Sequence, residues 1–82
     1  MRLQIGTVVC AVAGKEKNQF YLVTGLEGKF VFLADGKHRP LEKPKRKNIR
    51  HIRPTSELWE TDGLSNKELR RKLREYAAKG GI

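Results

Sequence analysis

Lys37, Arg39, Lys43, Lys45, Arg46, Lys47, Arg50 and Arg53 place eight cations within seventeen residues, and Glu42 is the only acid among them. Like charges at this density repel, so the segment gains a fold nothing in stability. A polyanionic partner is the economical reason for keeping them together, and nucleic acid is the commonest polyanion. Arg and Lys pair with phosphates, and Arg also forks onto a base edge or stacks on it. Pro40 and Pro44 stiffen the path, which reduces the entropy lost when the segment orders on its partner. If six to eight phosphates are engaged, log K falls with log salt at a slope of about −4 to −7. The competing reading, a solvated charged loop, suits scattered lysines better than eight cations in seventeen residues.

The remaining reactive side chains do not assemble a catalytic site. His38 and His51 lack the three or four ligands a metal needs, and the single cysteine, Cys10, lies in a separate apolar stretch. His51 falls in an alternating stretch where a packed or hydrogen-bonded histidine is expected, and either histidine could stack on a base. Cys10 sits between Val9 and Ala11 and reads as a small buried hydrophobe, not as a nucleophile. Glu57, Glu60 and Asp62 crowd a connecting segment, and Gly14-Lys15 lacks the spacing of a phosphate-cradling glycine loop. No enzyme is expected, and no cofactor or metal.

A chain of 82 residues makes one domain with a small core, burying about 60–65% of its unfolded surface. Net charge is +9, unevenly spread: residues 54–63 carry three acids and no base, and residues 64–82 carry six bases and two acids. One cysteine excludes an internal disulfide and fits a reducing cytosol. The apolar run from Thr7 to Ala13 is too short for a signal peptide or for the about 20 residues of a membrane helix. A soluble cytoplasmic monomer with no membrane partner is the expectation.

Three strands are expected to hold the cations in place. Thr7 to Ala13 is one, with Val8, Cys10 and Val12 on a shared face; Gln19 to Leu26 is the second, with Phe20, Leu22 and Thr24 opposite Tyr21 and Val23; Lys29 to Ala34 is the third. Asp35-Gly36 turns the chain, and the prolines keep residues 37–44 out of regular helix. Asn48 to Arg53 alternates and predicts a short fourth strand that Pro54 ends. Residues 55–63 read as a linker in which Trp59 anchors the packing. Ser65 and Glu68 then form a capping box, with Leu64 and Leu69 as its hydrophobic staple. Leu69, Leu73, Tyr76 and Ala77 give one apolar helical face, and Gly80-Gly81 stops the helix. Lys67, Arg70, Arg71 and Arg74 cluster on one flank of it, either as a second RNA contact or as a solvated face. Of the aromatic residues Phe20, Tyr21, Phe30 and Phe32, most are expected in the core, with Tyr21 the candidate for base stacking.

The strand-opening Gly6-Thr7-Val8 and the turn Gly14-Lys15-Glu16-Lys17 followed by Tyr21-x-Val23 resemble a KOW motif. Ala34-Asp35-Gly36-Lys37-His38-Arg39-Pro40, Lys43-Pro44-Lys45-Arg46-Lys47 and Arg50-His51-Ile52 are similar to the small stand-alone bacterial KOW proteins, themselves similar to an archaeal and eukaryotic large-subunit ribosomal protein family. The resemblance covers residues 4–78, with Gly14 as the motif glycine. Asn18 stands where many KOW loops have a second glycine, and Asn tolerates the left-handed conformation the turn needs. The resemblance implies a small SH3-like barrel over residues 1–54 with a helix over 64–79 packed against it. It also implies binding to ribosomal RNA. A single helix with no helix-turn-helix partner argues against duplex-DNA readout, and a barrel with charged loops suits folded RNA. The expected contacts are Lys15, Lys17, Lys37, His38, Arg39, Lys43, Lys45, Arg46, Lys47, Asn48, Arg50, His51 and Arg53. On this reading, reversing the charge of Lys45, Arg46 and Lys47 removes RNA binding and spares the fold. The alternative is a protein-interaction barrel contacting ribosomal proteins or the transcription machinery through the acidic linker and the strand edges.

Overall fold

Consecutive apolar residues in the first three strands, such as Val8-Val9 and Leu22-Val23, put apolar side chains on both faces of the sheet they form. The computed structural model describes residues 3–80. It contains β1 (Thr7–Ala11), β2 (Phe20–Glu27), β3 (Phe30–Ala34), β4 (Lys45–Asn48), β5 (Ile52–Leu58) and α1 (Asn66–Ala78), with single 3₁₀ turns at Gly14–Glu16 and Ile49–His51. The strands form one antiparallel sheet in the order β4-β3-β2-β1-β5. On one face Val9, Ala11, Tyr21, Val23, Val31, Leu33 and Ile52 pack together. On the other, Val8, Leu22 and Ala34 meet Leu69, Leu73 and Tyr76 of α1, with Phe20, Leu41, Trp59 and Leu64 at the margin. The fold is therefore mainly β with a C-terminal helix packed against the sheet, and the strand order is compatible with a small SH3-like barrel. Among the described residues no helix is long and apolar enough to cross a membrane.

The helix forms where its local signals place it. Ser65 Oγ accepts from the Glu68 N–H at 3.2 Å, and Glu68 Oε1 accepts from the Ser65 N–H at 3.2 Å. This reciprocal box satisfies two donors that the first turn would otherwise leave open. Leu64 and Leu69 join the same apolar cluster, as the staple requires. Leu69, Leu73 and Tyr76 are buried, but Ala77 is exposed, so the inward stripe is narrower than the sequence pattern. Gly80 lies at φ +87° and donates to the Ala77 carbonyl, ending the helix; Gly81 lies outside the described residues.

Three expectations need correction. The single fourth strand over Asn48–Arg53 is two strands separated by a 3₁₀ turn, because Asn48 Oδ1 accepts from the Arg50 N–H and bends the chain. Pro54 does not end a strand, and residues 55–58 of the expected linker belong to β5. Proline is tolerated there because β5 is an edge strand whose register shifts against β1 between Thr7 and Val9, and Thr55 Oγ1 donates to the Val8 carbonyl at 2.7 Å beside it. Finally, Val12 is exposed and Cys10 half-buried, while Val8, Val9 and Ala11 are buried. β1 thus ends at Ala11 and not at the expected Ala13, and Cys10 is not the buried small hydrophobe expected.

Leu69 is fully enclosed between α1 and the sheet. Leu69→Ala removes a buried isobutyl group and is expected to cost about 2–4 kcal/mol. The measurement is the urea midpoint at unchanged m-value; an unshifted midpoint would mean the helix does not contribute to the core.

Candidate nucleic-acid interface

Residues 35–44 have no regular structure, so their order must come from side chains. Asp35 Oδ1 accepts from the backbone N–H groups of Lys37 (2.9 Å) and Arg39 (2.8 Å), and the Arg39 carbonyl accepts from Asp35 N–H at 2.8 Å. These bonds close residues 35–39 into a tight turn. The next residues are held from a distance. Asn66, the first residue of α1, accepts from the Leu41 N–H at 2.8 Å and donates to Glu42 Oε1 at 2.6 Å. That second bond draws the Glu42 carboxyl below its ordinary value. Gly36 sits at φ +82° against α1, where a Cβ would collide with the Asn66 carbonyl oxygen. The basic loop is therefore clasped to the N-terminal turn of the helix.

The clasp brings two basic segments together. Lys37 from the loop and Arg70 and Arg74 from α1 line one open hollow of about 270 Å³, with Asn18, Gln19, Phe20, Asp35, Leu73 and Ala77. Among the described residues these three cations form no ion pair. Lys67 and Arg71 continue the helix flank around a second hollow of about 340 Å³ that Arg70 and Arg74 also line. Arg71 pairs with Glu75 at 3.3 Å, an exposed contact one helical turn away.

The densest run of cations is occupied differently. Along β4, Lys45 and Lys47 alternate with Arg46 and point to one side. Lys45 Nζ lies 2.7 Å and Lys47 Nζ 3.0 Å from the carboxylate of Glu16, in the 3₁₀ turn after β1. Lys47 Nζ also donates to the Ala13 carbonyl at 3.4 Å, and its side chain is only 11% exposed. These contacts tie edge strand β4 to the turn that leaves β1. Hydrogen bonds from Lys45 first and Lys47 second hold the Glu16 carboxyl at about 2, far below its ordinary 4.5. The same turn keeps Gly14 at φ +79° and Asn18 at φ +73°, so Asn18 does adopt the left-handed conformation expected of it.

Arg46 lies with its guanidinium 4.5 Å from the Phe30 ring centroid, and Lys29 Nζ is 6.0 Å from the same ring. Asn48 acts as a turn cap. Arg50 and His51 are exposed on the 3₁₀ turn, so His51 is not the packed strand residue expected, and Arg53 is exposed on β5. Lys15, Lys17, His38 and Lys43 are exposed, and Arg39 is half-buried. Tyr21, the candidate stacking residue, is instead a core residue at 5% exposure, whereas Phe20, Phe30 and Phe32 are half-buried. Trp59 packs edge-on against Tyr76 at 6.1 Å and carries Lys72 4.6 Å above its ring, consistent with an anchor. Among the described residues no group of three or more His, Cys, Asp or Glu side chains could hold a metal.

Sequence reasoning missed Glu16 and Asn66 as positioning groups, and neither carries a local signal for that role. Asp35 and Asn18 it did single out, as the Asp-Gly turn and as the left-handed residue of the Gly14 turn. No protein-family model matches this chain, and no curated protein matches it.

Two outcomes follow from the Glu16 pairing. A folded pKa below the unfolded one stabilises the fold at neutral pH, and the contribution is lost as pH falls from about 4.5 toward 2. Wild type should therefore lose stability across that window more steeply than Glu16→Gln in chemical-denaturation curves; parallel profiles would show that the pairing contributes nothing. Reversing Lys45 and Lys47 to Glu sets three carboxylates together and should lower the melting temperature by many degrees. This is the opposite of the expectation that reversing Lys45, Arg46 and Lys47 spares the fold, and a native melting temperature in the double variant would uphold that expectation instead.

Proposed function

We propose that this protein is a cytoplasmic RNA-binding module, without catalysis, that recognises structured RNA through a composite basic face. The observation that carries the reading is the convergence of Lys37 with Arg70 and Arg74, two segments about thirty positions apart in sequence, on one hollow without acidic ion-pair partners among the described residues. Cations held on a folded edge favour a partner whose phosphates are arranged in a matching shape, and folded RNA offers that. Ribosomal RNA is the first candidate, on the resemblance of the Gly14 turn and the Ala34–Ile52 stretch to KOW proteins of the ribosome. Lys45 and Lys47 serve mainly to close the fold. Lys43, Arg50, His51 and Arg53 extend the basic surface.

One observation favours a second reading as a protein-interaction barrel. Ile5 and Leu58 are 52% and 55% exposed and flank a hollow of about 430 Å³ shared with Trp59, Glu60 and Thr61. Ribosomal proteins would be the partners there.

Salt dependence separates the two. Replacing Arg70 and Arg74 by Ala should weaken RNA binding and make the slope of log K against log salt shallower by about 1.4–1.8, the loss of two phosphate contacts. Fluorescence anisotropy over a salt series measures it. An unchanged slope would return the helix flank to solvent, and ribosome association indifferent to salt would favour the protein-contact reading.

A further inference from the structure

We propose that the hollow between α1, the turn at Asp35–Lys37 and the entry to β2 receives a single unpaired nucleotide of the RNA. The proposal rests on the RNA-binding reading and specifies which RNA the protein selects. Phosphate recognition alone needs only cations, yet this hollow is lined by Phe20, Leu73 and Ala77 as well as by Lys37, Arg70 and Arg74. Phe20 is held in place by an edge-on contact with Tyr76 at 5.1 Å and 84°, so the apolar wall is formed before any ligand arrives. A regular duplex offers phosphates, but its bases are stacked out of reach. An extruded nucleotide offers an aromatic face and a negative charge within one residue, which matches a lining that combines apolar side chains with cations.

Size and polar groups agree with this occupant. At about 270 Å³ the open hollow lies just below the range of small-molecule pockets, about 300–1,000 Å³, a size that suits one base. Asn18 and Gln19 also line it; Gln19 Oε1 accepts from the Tyr21 hydroxyl at 3.3 Å, so the Asn18 amide is the group with both a donor and an acceptor to offer a base edge. Asn18 is fixed by its left-handed backbone and by its N–H bond to the Ala11 carbonyl at 2.8 Å. Asp35 would oppose a bare anion. Its Oδ1 is committed to two backbone N–H groups, and its other oxygen suits the exocyclic amine of a base.

The test compares the full chain binding to a short RNA duplex and to the same duplex with one bulged nucleotide, at one salt concentration. The expected result is about tenfold tighter binding of the bulged RNA, the size of effect one stacked base produces. Ala77 is exposed on the helix, and Ala77→Leu fills the hollow without removing a charge. That variant should lose the preference for the bulged RNA. Ala77→Glu should also lose it, which decides the matter if leucine lowers the melting temperature. Equal affinity of wild type for the two RNAs overturns the nucleotide site while leaving RNA binding standing. A preference that survives in a folded Ala77→Leu protein also overturns it. Failure to bind either RNA removes both readings.

Discussion

The structure depends on the need to bury both faces of its central strands. Val8 and Val9 in β1, and Leu22 and Val23 in β2, are all fully inaccessible, although neighbours along a strand point to opposite sides. A five-stranded sheet this small can cover one of its faces by curving over it. The other face needs a separate element, and α1 supplies it. Its rotation is then set by Leu69, Leu73 and Tyr76, which must point at the sheet. With about 100° between successive residues, Arg70 and Arg74 must then emerge along one margin of the contact. The position of these cations, and of the hollow they share with Lys37, follows from the core packing of α1.

Density of charge and availability of charge prove to be different properties. The run Lys45-Arg46-Lys47 is the most basic part of the chain, yet its members are engaged by neighbours within the fold. A strand that carries lysines on its inner side would repel itself, and Glu16 relieves that by accepting from both. The exchange is favourable because the two ammonium groups share one half-buried carboxylate and bring an edge strand under cover. Arg46, on the opposite side of β4, lies over Phe30 instead. The cations left without an acidic partner in the hollow come from the start of the basic segment and from the helix.

Local signals were legible and distant ones were not. The capping box at Ser65 and Glu68 involves residues three apart, and the alternation of β1 to β3 is a property of neighbours, so the helix and the first three strands could be read directly. Alternation also misled: Ile49, His51 and Arg53 mimic a strand, while Asn48 bends the chain with a side-chain bond to a residue two positions on. Tyr21 shares its face with Val23, which places it inside, although an aromatic residue amid basic loops invites a stacking role. Pairings such as Glu16 with Lys45 and Asn66 with Leu41 span more than twenty residues, and no pattern of residue types announces them. The site was therefore legible as a composition of cations and not as a geometry.

That geometry changes what the positive charge can do. A mobile basic tail binds any polyanion in proportion to charge, because it adapts its path to each one. Residues 35–42 cannot adapt in that way. Asp35 sets the turn, Gly36 allows the backbone to meet the helix, and Asn66 holds both Leu41 and Glu42. The entropy of ordering the loop is spent during folding and is not charged again on binding. Rigidity also carries a penalty for the wrong shape, since phosphates that do not match the fixed cations gain less from them. On the proposed RNA-binding reading, a weakly discriminating electrostatic attraction would thereby become a shape-selective one, and the rigidity behind it comes from Asp35, Gly36 and Asn66 together.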